Sequence, residues 1–312
     1  MSAKNVFRTL GLALAGLFVF GFVIGAIGTA LFAGKDASPF LPTPEVHLPP
    51  QPVFESDAHE AHELHKLPGR FMLTNTILSS LISSVILIAL FFFGTRNINA
   101  DSRPKGLQNF LEFIVSSMYS FVEGVAGAKN AKRFFPFFAI MFLFVIVNAW
   151  IGLIPLYQSL GFLKDGHFER HLLRPAGTDL NMPLALAIAS FIFVEFWGIK
   201  ALGLSYFGKF FRFGTLLKGR IFEGFIDIFV GILELLSELI RIVSFTFRLF
   251  GNMTAGEILL LMTAFLIPFA FSLPFYGLEL LVGFIQALIF AGLTLVFVTM
   301  AITPHHDGEE GH

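Results

Sequence analysis

The chemistry in this sequence is carried by a few polar side chains set inside long apolar runs. Glu195 interrupts one run. Glu234, Glu238, Arg241, Arg248, Asn252 and Glu257 interrupt a second, and Glu279 and Gln286 a third. A charged group at the centre of a membrane helix costs about 2.5–3.5 kcal/mol on insertion scales, so such groups usually face a bundle interior or a wet cavity. At about 100° per residue, Glu234, Glu238, Arg241, Arg248 and Asn252 fall within about 40° of one line on a helix. Glu238 and Arg241, three apart, can pair with each other. Arg248 has no acid three or four residues away, so it should face water or an acidic partner on this or another chain. Arginine suits such a post because it keeps its proton where a buried lysine could lose it. Glu257 points to nearly the opposite side of the helix, about 13 Å further along the axis. Glu279 and Gln286, seven apart, share a face. Carboxylates in a low-dielectric site hold protons more readily and can exchange them. Glu257 and Glu279, paired across a hairpin, would form a proton relay; the plainer alternative is two acids lining a wet crevice.

The elements that must position these groups follow from composition. The chain has 312 residues, 55% of them apolar, with 42 phenylalanines and a mean hydropathy of +0.77. Only 14% are charged, against roughly 25% in soluble domains. A net charge of −1 gives no reason to expect nucleic acid, and the absence of cysteine excludes disulfides and thiolate metal sites. With about 20 apolar residues needed per membrane helix, six spans are expected, near 7–33, 71–93, 134–156, 182–204, 228–268 and 274–302. The fifth is too long for an upright crossing and should tilt or begin in the interface. The first follows Lys4 and Arg8 and ends at Gly28-Thr29-Ala30, which also fits a cleaved signal peptide; its length favours a retained helix.

Orientation follows the distribution of basic residues. Arg96, Arg103, Lys105, Lys129, Lys132 and Arg133 lie in one segment, and Lys200, Lys209, Arg212, Lys218 and Arg220 in another. Both are expected in the cytoplasm with the two termini. The turn 267–276, which has no lysine or arginine, is expected outside. The 157–180 loop is also expected outside, its Lys164, Arg170 and Arg174 offset by Asp165, Glu169 and Asp179. Residues 104–131 read as an amphipathic helix on the cytoplasmic membrane surface.

These readings divide the chain into an N-terminal helix or signal-like segment (1–33), an extracytoplasmic Pro/His-rich linker (34–70), a membrane domain (71–303) and a polar tail (304–312). The fold class is all-α and polytopic: about six transmembrane helices, five plus an extra N-terminal one, ending in a long tilted hairpin. His59, His62 and His65 could suit zinc or copper, but a solvated linker is the expectation, so no metal or other cofactor is assigned. Gly203–Phe210 reads like a P-loop up to its lysine, then has Phe210 where Ser or Thr must hold Mg²⁺.

The stretch Ser244–Leu259, S-F-T-F-R-L-F-G-N-M-T-A-G-E-I-L, closely resembles the signature of the a subunit of F-type ATP synthases. P-A-G-T-D-L-N at 175–181, G-L-I-P at 152–155 and Q-A-L-I-F at 286–290 agree with it, so the resemblance covers roughly residues 70–303. It implies a stator subunit of the proton channel in a bacterial plasma (inner) membrane. The partners implied are the c-subunit rotor ring, the b-subunit peripheral stalk and the rest of the synthase, and the chain itself would make no covalent bonds. Arg248 matches the family's essential arginine. Asn252, Glu257 and Gln286 match polar channel residues, and Glu279 a position held by histidine or glutamate. On this resemblance Asp179, Glu195, Glu257 and Glu279 would carry protons in from outside, and Glu234 and Glu238 would line their release to the cytoplasm. Asn252 and Gln286 would hold the arginine. Ile242 stands where many relatives have proline, so less of a kink is expected there. The sequence does not separate H⁺ from Na⁺. The alternative is a self-contained secondary transporter with a charged midplane site; it predicts inverted repeats and broken helices, and no repeat is visible.

Overall fold

The computed structural model describes residues 50–51, 53, 73–96, 106–154, 161–164, 167–210, 221–266 and 272–303. The expected first span, the linker histidines and the polar tail lie outside the described residues. Among the described residues six long helices follow one another: α1 (Asn75–Thr95), α2 (Leu107–Ala126), α3 (Ala128–Gly152), α4 (Asn181–Leu202), α5 (Ile221–Leu266) and α6 (Ser272–Ala301). Between α3 and α4 lies an antiparallel ribbon of β1 (Gly161–Lys164) and β2 (His167–His171), then a 3₁₀ turn at Ala176–Thr178. The chain is an all-α polytopic membrane protein: α1, α3, α4 and α6 are each long and apolar enough to span a bilayer. The 46 residues of α5 extend about 69 Å at 1.5 Å per residue, more than twice a bilayer core of about 30 Å. It is unbroken, in keeping with the absence of proline at Ile242.

Local chemistry sets the element ends. Thr74 caps α1 by accepting a hydrogen bond from Ile77 N at 3.3 Å. A single residue, Gly127, separates α2 from α3. Its φ of +77° is one that side-chain-bearing residues disfavour, and its N–H closes α2 on Glu123 O at 2.9 Å. The amphipathic segment expected over 104–131 therefore ends at Ala126, and the span expected from 134 already begins as helix at Ala128. Leu111, Met118, Val122 and Ala126 are the buried face of α2, at helical spacing.

The core joins Phe134, Phe138, Phe142 and Val145 of α3 to Ala287, Phe290, Leu295 and Val298 of α6. Small residues bring these helices close: a Cβ at Gly283 would stand 3.0 Å from that of Ala149. Such contacts are typical of helix packing in lipid. Large apolar side chains such as Leu81, Val85, Phe247 and Leu281 point outward, as a hydrocarbon solvent permits.

The bundle has two distinguishable ends. At the hairpin end, where α5 turns into α6, the segment Leu173–Asp179 is buried throughout. It is wedged between helices: a Cβ at Gly152 would lie 2.8 Å from Pro175, and one at Gly177 2.8 Å from Met253. At the opposite, basic end, Arg133 and Lys200 sit over the Trp197 ring, 5.9 and 4.7 Å from its centroid.

Candidate functional site

At the hairpin end four charged residues converge from three segments. Arg174, in the buried turn, donates from Nη2 to Glu257 Oε2 at 2.9 Å and from Nε to both Glu257 oxygens at 3.3 Å. The side chains are only 8% and 17% exposed, so this is an ion pair largely withdrawn from solvent. Arg174 N donates to Ser79 Oγ of α1 at 3.1 Å. Asp179 closes the same turn. Its Oδ2 accepts from Thr76 Oγ1 at 2.8 Å, and its Oδ1 accepts from Asn181 N and Nδ2 at 3.0 Å each. It thereby accepts from the first N–H of α4 and ties that helix to α1. Glu279 of α6 lies against the α5 backbone: a Cβ at Gly256 would fall on its carboxylate. Glu257 and Glu279 line one small cavity of about 20 Å³ with Ala149, Gly152, Leu153, Pro175, Met253 and Leu260. That is about the room one water needs. Glu279 makes no hydrogen bond or ion pair among the described residues, unlike Glu257.

Midway along α5, Arg248 is half-buried. Its guanidinium is 5.9 Å from the Phe245 ring centroid, and it has no carboxylate partner among the described residues. Phe245 and Leu249, beside it, are buried, while Val243 and Phe247 are exposed. Arg248 therefore sits on the border between the buried and outward faces of α5. One turn on, Asn252 Nδ2 donates to Gln286 Oε1 at 2.6 Å. Gln286 is 2% exposed, and its Nε2 is buried with no hydrogen-bond partner among the described residues. The two amides expected beside the arginine are thus bonded to each other across the α5–α6 interface.

At the basic end, Glu238 pairs with Arg241 (Oε2–Nη1 2.7 Å), the pairing that i, i+3 spacing suggested. The Arg241 guanidinium also lies 3.7 Å from the Phe297 ring centroid on α6. Glu234, on the same stripe, is exposed. Tyr206, in the 3₁₀ segment Gly203–Lys209 that follows α4, donates its hydroxyl to Glu195 Oε1 at 2.9 Å. Gly198 makes room for it, since a Cβ there would meet the ring. Burial, then the neighbouring Glu195 carboxylate, pushes the Tyr206 phenol far above its ordinary range. Glu238 adds to that and Arg241 opposes it, so the α4 and α5 pairs share one neighbourhood. Glu195, expected on one entry path with Asp179, Glu257 and Glu279, is not brought into their cluster. It sits four turns along α4 from Asp179 and belongs with Tyr206 at the other end.

With this geometry in place, comparison with known proteins is decisive: residues 77–299 match the family described as ATP synthase A chain. The chain belongs to that family. It is 32% identical over 244 residues to ATP synthase subunit a of Mycobacterium leprae, covering 77% of this chain and 91% of that one. Against the protein of the same name from Gloeobacter violaceus it is 31% identical over 232 residues, covering 74% and 85%. Against that of Desulfosudis oleivorans it is 33% identical over 232 residues, covering 74% and 89%. The ATP synthase A chain match runs from α1 to α6 and contains every charged residue of both polar clusters.

Three features of the site escaped the sequence reading. Arg174 looked like one charge of a balanced outer loop, but it reaches Glu257. Tyr206 carried no signal beyond a lone polar ring after a span. Asn75, Thr76, Ser79 and Ser83 form the buried face of α1; their helical spacing within an apolar span was the available clue.

Proposed function

We propose that this chain is the stationary wall of a proton path against a rotating ring of c subunits in a bacterial F-type ATP synthase. The peripheral stalk b subunit and the rest of the complex are its partners. On this reading residues 71–303 form the channel unit in the plasma membrane, the hairpin end faces outside, and the basic end faces the cytoplasm. The chain makes no covalent bonds; ATP chemistry belongs to soluble partners.

The observation that carries the reading is Arg248: a half-buried cation with no carboxylate partner among the described residues, on the border of an outward apolar face, between two separate polar clusters. A ring carboxyl crosses lipid protonated, because the charged form is strongly disfavoured there. Opposite Arg248 the fixed positive charge favours its ionisation. The proton then leaves past Glu238, Arg241 and Glu234. A new proton arrives from the hairpin end through Glu257 and Glu279, with Asp179 lining the mouth. The guanidinium separates the two half-paths and blocks a direct leak. A potential of 100 mV contributes about 2.3 kcal/mol per proton, which biases rotation. A self-contained transporter would need broken helices around its site, whereas α5 and α6 are continuous.

The test is Arg248→Ala in the whole complex reconstituted in vesicles. ATP-driven acidification is expected to vanish while the subunits still co-purify. Acidification at the native rate would refute the reading.

A further inference from the structure

The hairpin-end cluster holds two carboxylates on adjacent helices, and oxygen-rich sites of this kind attract hard cations as well as protons. What distinguishes it is the third charge. Arg174 covers both oxygens of Glu257: Nη2 meets Oε2 at 2.9 Å, and Nε meets Oε1 and Oε2 at 3.3 Å. The guanidinium comes from the buried turn, whose backbone is held by Ser79 Oγ at 3.1 Å, and its side chain is 8% exposed. The fork geometry of arginine fits a carboxylate in a way a lysine ammonium does not. Glu279, in contrast, has no partner among the described residues. The cavity that both acids line, about 20 Å³, has room for about one water and none for a hydrated metal cation.

We propose that Arg174 is a specificity-determining residue: its guanidinium occupies the cation position on Glu257 and so reserves the Glu257–Glu279 site for protons. This rests on the reading of that site as the uptake path. A proton, unlike a metal ion, can pass between Glu279 and Glu257 through a space the size of one water without displacing the guanidinium. A sodium ion would have to displace a permanently charged group that is locked into the turn. Removing the guanidinium leaves a carboxylate with vacant oxygens beside a second acid, and that pair can take Na⁺.

The experiment compares ATP-driven acidification by vesicles of the intact complex in choline chloride and in NaCl. The native complex is expected to pump equally in both. Few-oxygen cation sites are weak, so Arg174→Gln should lose roughly twofold or more of its rate when ~0.1 M Na⁺ replaces choline. Arg174→Lys, which keeps the charge, should be far less sensitive. If Arg174→Gln assembles but does not pump even in choline, its thermal unfolding is read in the two salts. Stabilisation by Na⁺ beyond that of the native complex supports the proposal, and equal unfolding overturns it. An Arg174→Gln complex that pumps equally in both salts also overturns it, as does a native complex equally inhibited by Na⁺. Arg248→Ala in the same vesicles tells the two ideas apart. If that variant is dead while Arg174→Gln is indifferent to Na⁺, only the role of Arg174 fails; if Arg248→Ala pumps, the uptake-path reading itself fails.

Discussion

At the hairpin end, Arg174 reaches Glu257 across 83 residues of chain, and Glu279 approaches from a third segment. At the basic end, Glu238 and Arg241 pair within one turn of α5, and Tyr206 reaches Glu195 over only 11 residues. The first cluster exists only when the buried turn, α5 and α6 are docked. The second is largely carried by single helices and their immediate neighbours. The geometry at the hairpin end is therefore sensitive to small changes in helix approach, and that at the basic end is buffered against them.

Gly256→Ala should strain this contrast most. The atoms nearest the added methyl are those of the Glu279 carboxylate, the tip of a side chain that can swing aside, so assembly and thermal stability should be nearly unchanged. Proton transport should nevertheless fall about tenfold or more, because misplacing a reacting group by about 1 Å can cost 10²-fold. Native rates in this variant would mean that the close approach of Glu279 to α5 is idle. Of intermediate size is the coupling within each cluster. Glu257→Gln and Glu279→Gln, measured singly and together on pumping rate, should be non-additive by about 0.5–3 kcal/mol, as for neighbours sharing a cavity. The same cycle with Glu257→Gln and Glu238→Gln, from opposite ends, should be additive within about 0.5 kcal/mol. Equal coupling in both cycles would erase the division into two clusters.

The smallest effect belongs to Tyr206→Phe, which should change pumping at neutral pH by less than about twofold, as expected for a group that stays protonated there. Its signature is alkaline. The folded phenol ionises far above the unfolded value of about 10, so its contribution is fully present below pH 10 and is lost as pH rises beyond that. In melting curves from pH 9 to pH 11, the native complex should lose more stability than the variant; identical slopes would contradict the burial of this ring.

What could be read in the sequence was whatever is local. The apolar runs of α1, α3, α4 and α6 are visible one residue at a time, and so is the i, i+3 spacing of Glu238 and Arg241. Gly127 punctuates α2 and α3 through its own backbone angle, yet the surrounding apolar pattern hid the break. The Asn252–Gln286 bond joins two residues already singled out, although their partnership depends on how α5 and α6 face each other. Arg174 is hidden for the opposite reason: Asp165, Glu169 and Asp179 are near it in sequence and offset its charge. The acid it pairs with is on another helix. Glu195 shares its chemical type with Asp179 but lies four turns along α4 from it, and the ring it meets comes from the segment after that helix.

The polar face of α1 has a consequence for synthesis. Thr76 and Ser79 find Asp179 and Arg174 only when residues 103 and 95 positions downstream have been made. At about 5–20 residues per second, that is a delay on the order of 5–20 s. During that interval α1 must stay in the lipid on the strength of Leu81, Val85, Ile88 and Phe92, all on its outward side, while its hydroxyls turn to their own backbone, as Ser79 Oγ already does toward Asn75 O at 2.8 Å. The nascent helix can therefore be released sideways into the bilayer before the residues that complete its polar face have left the ribosome.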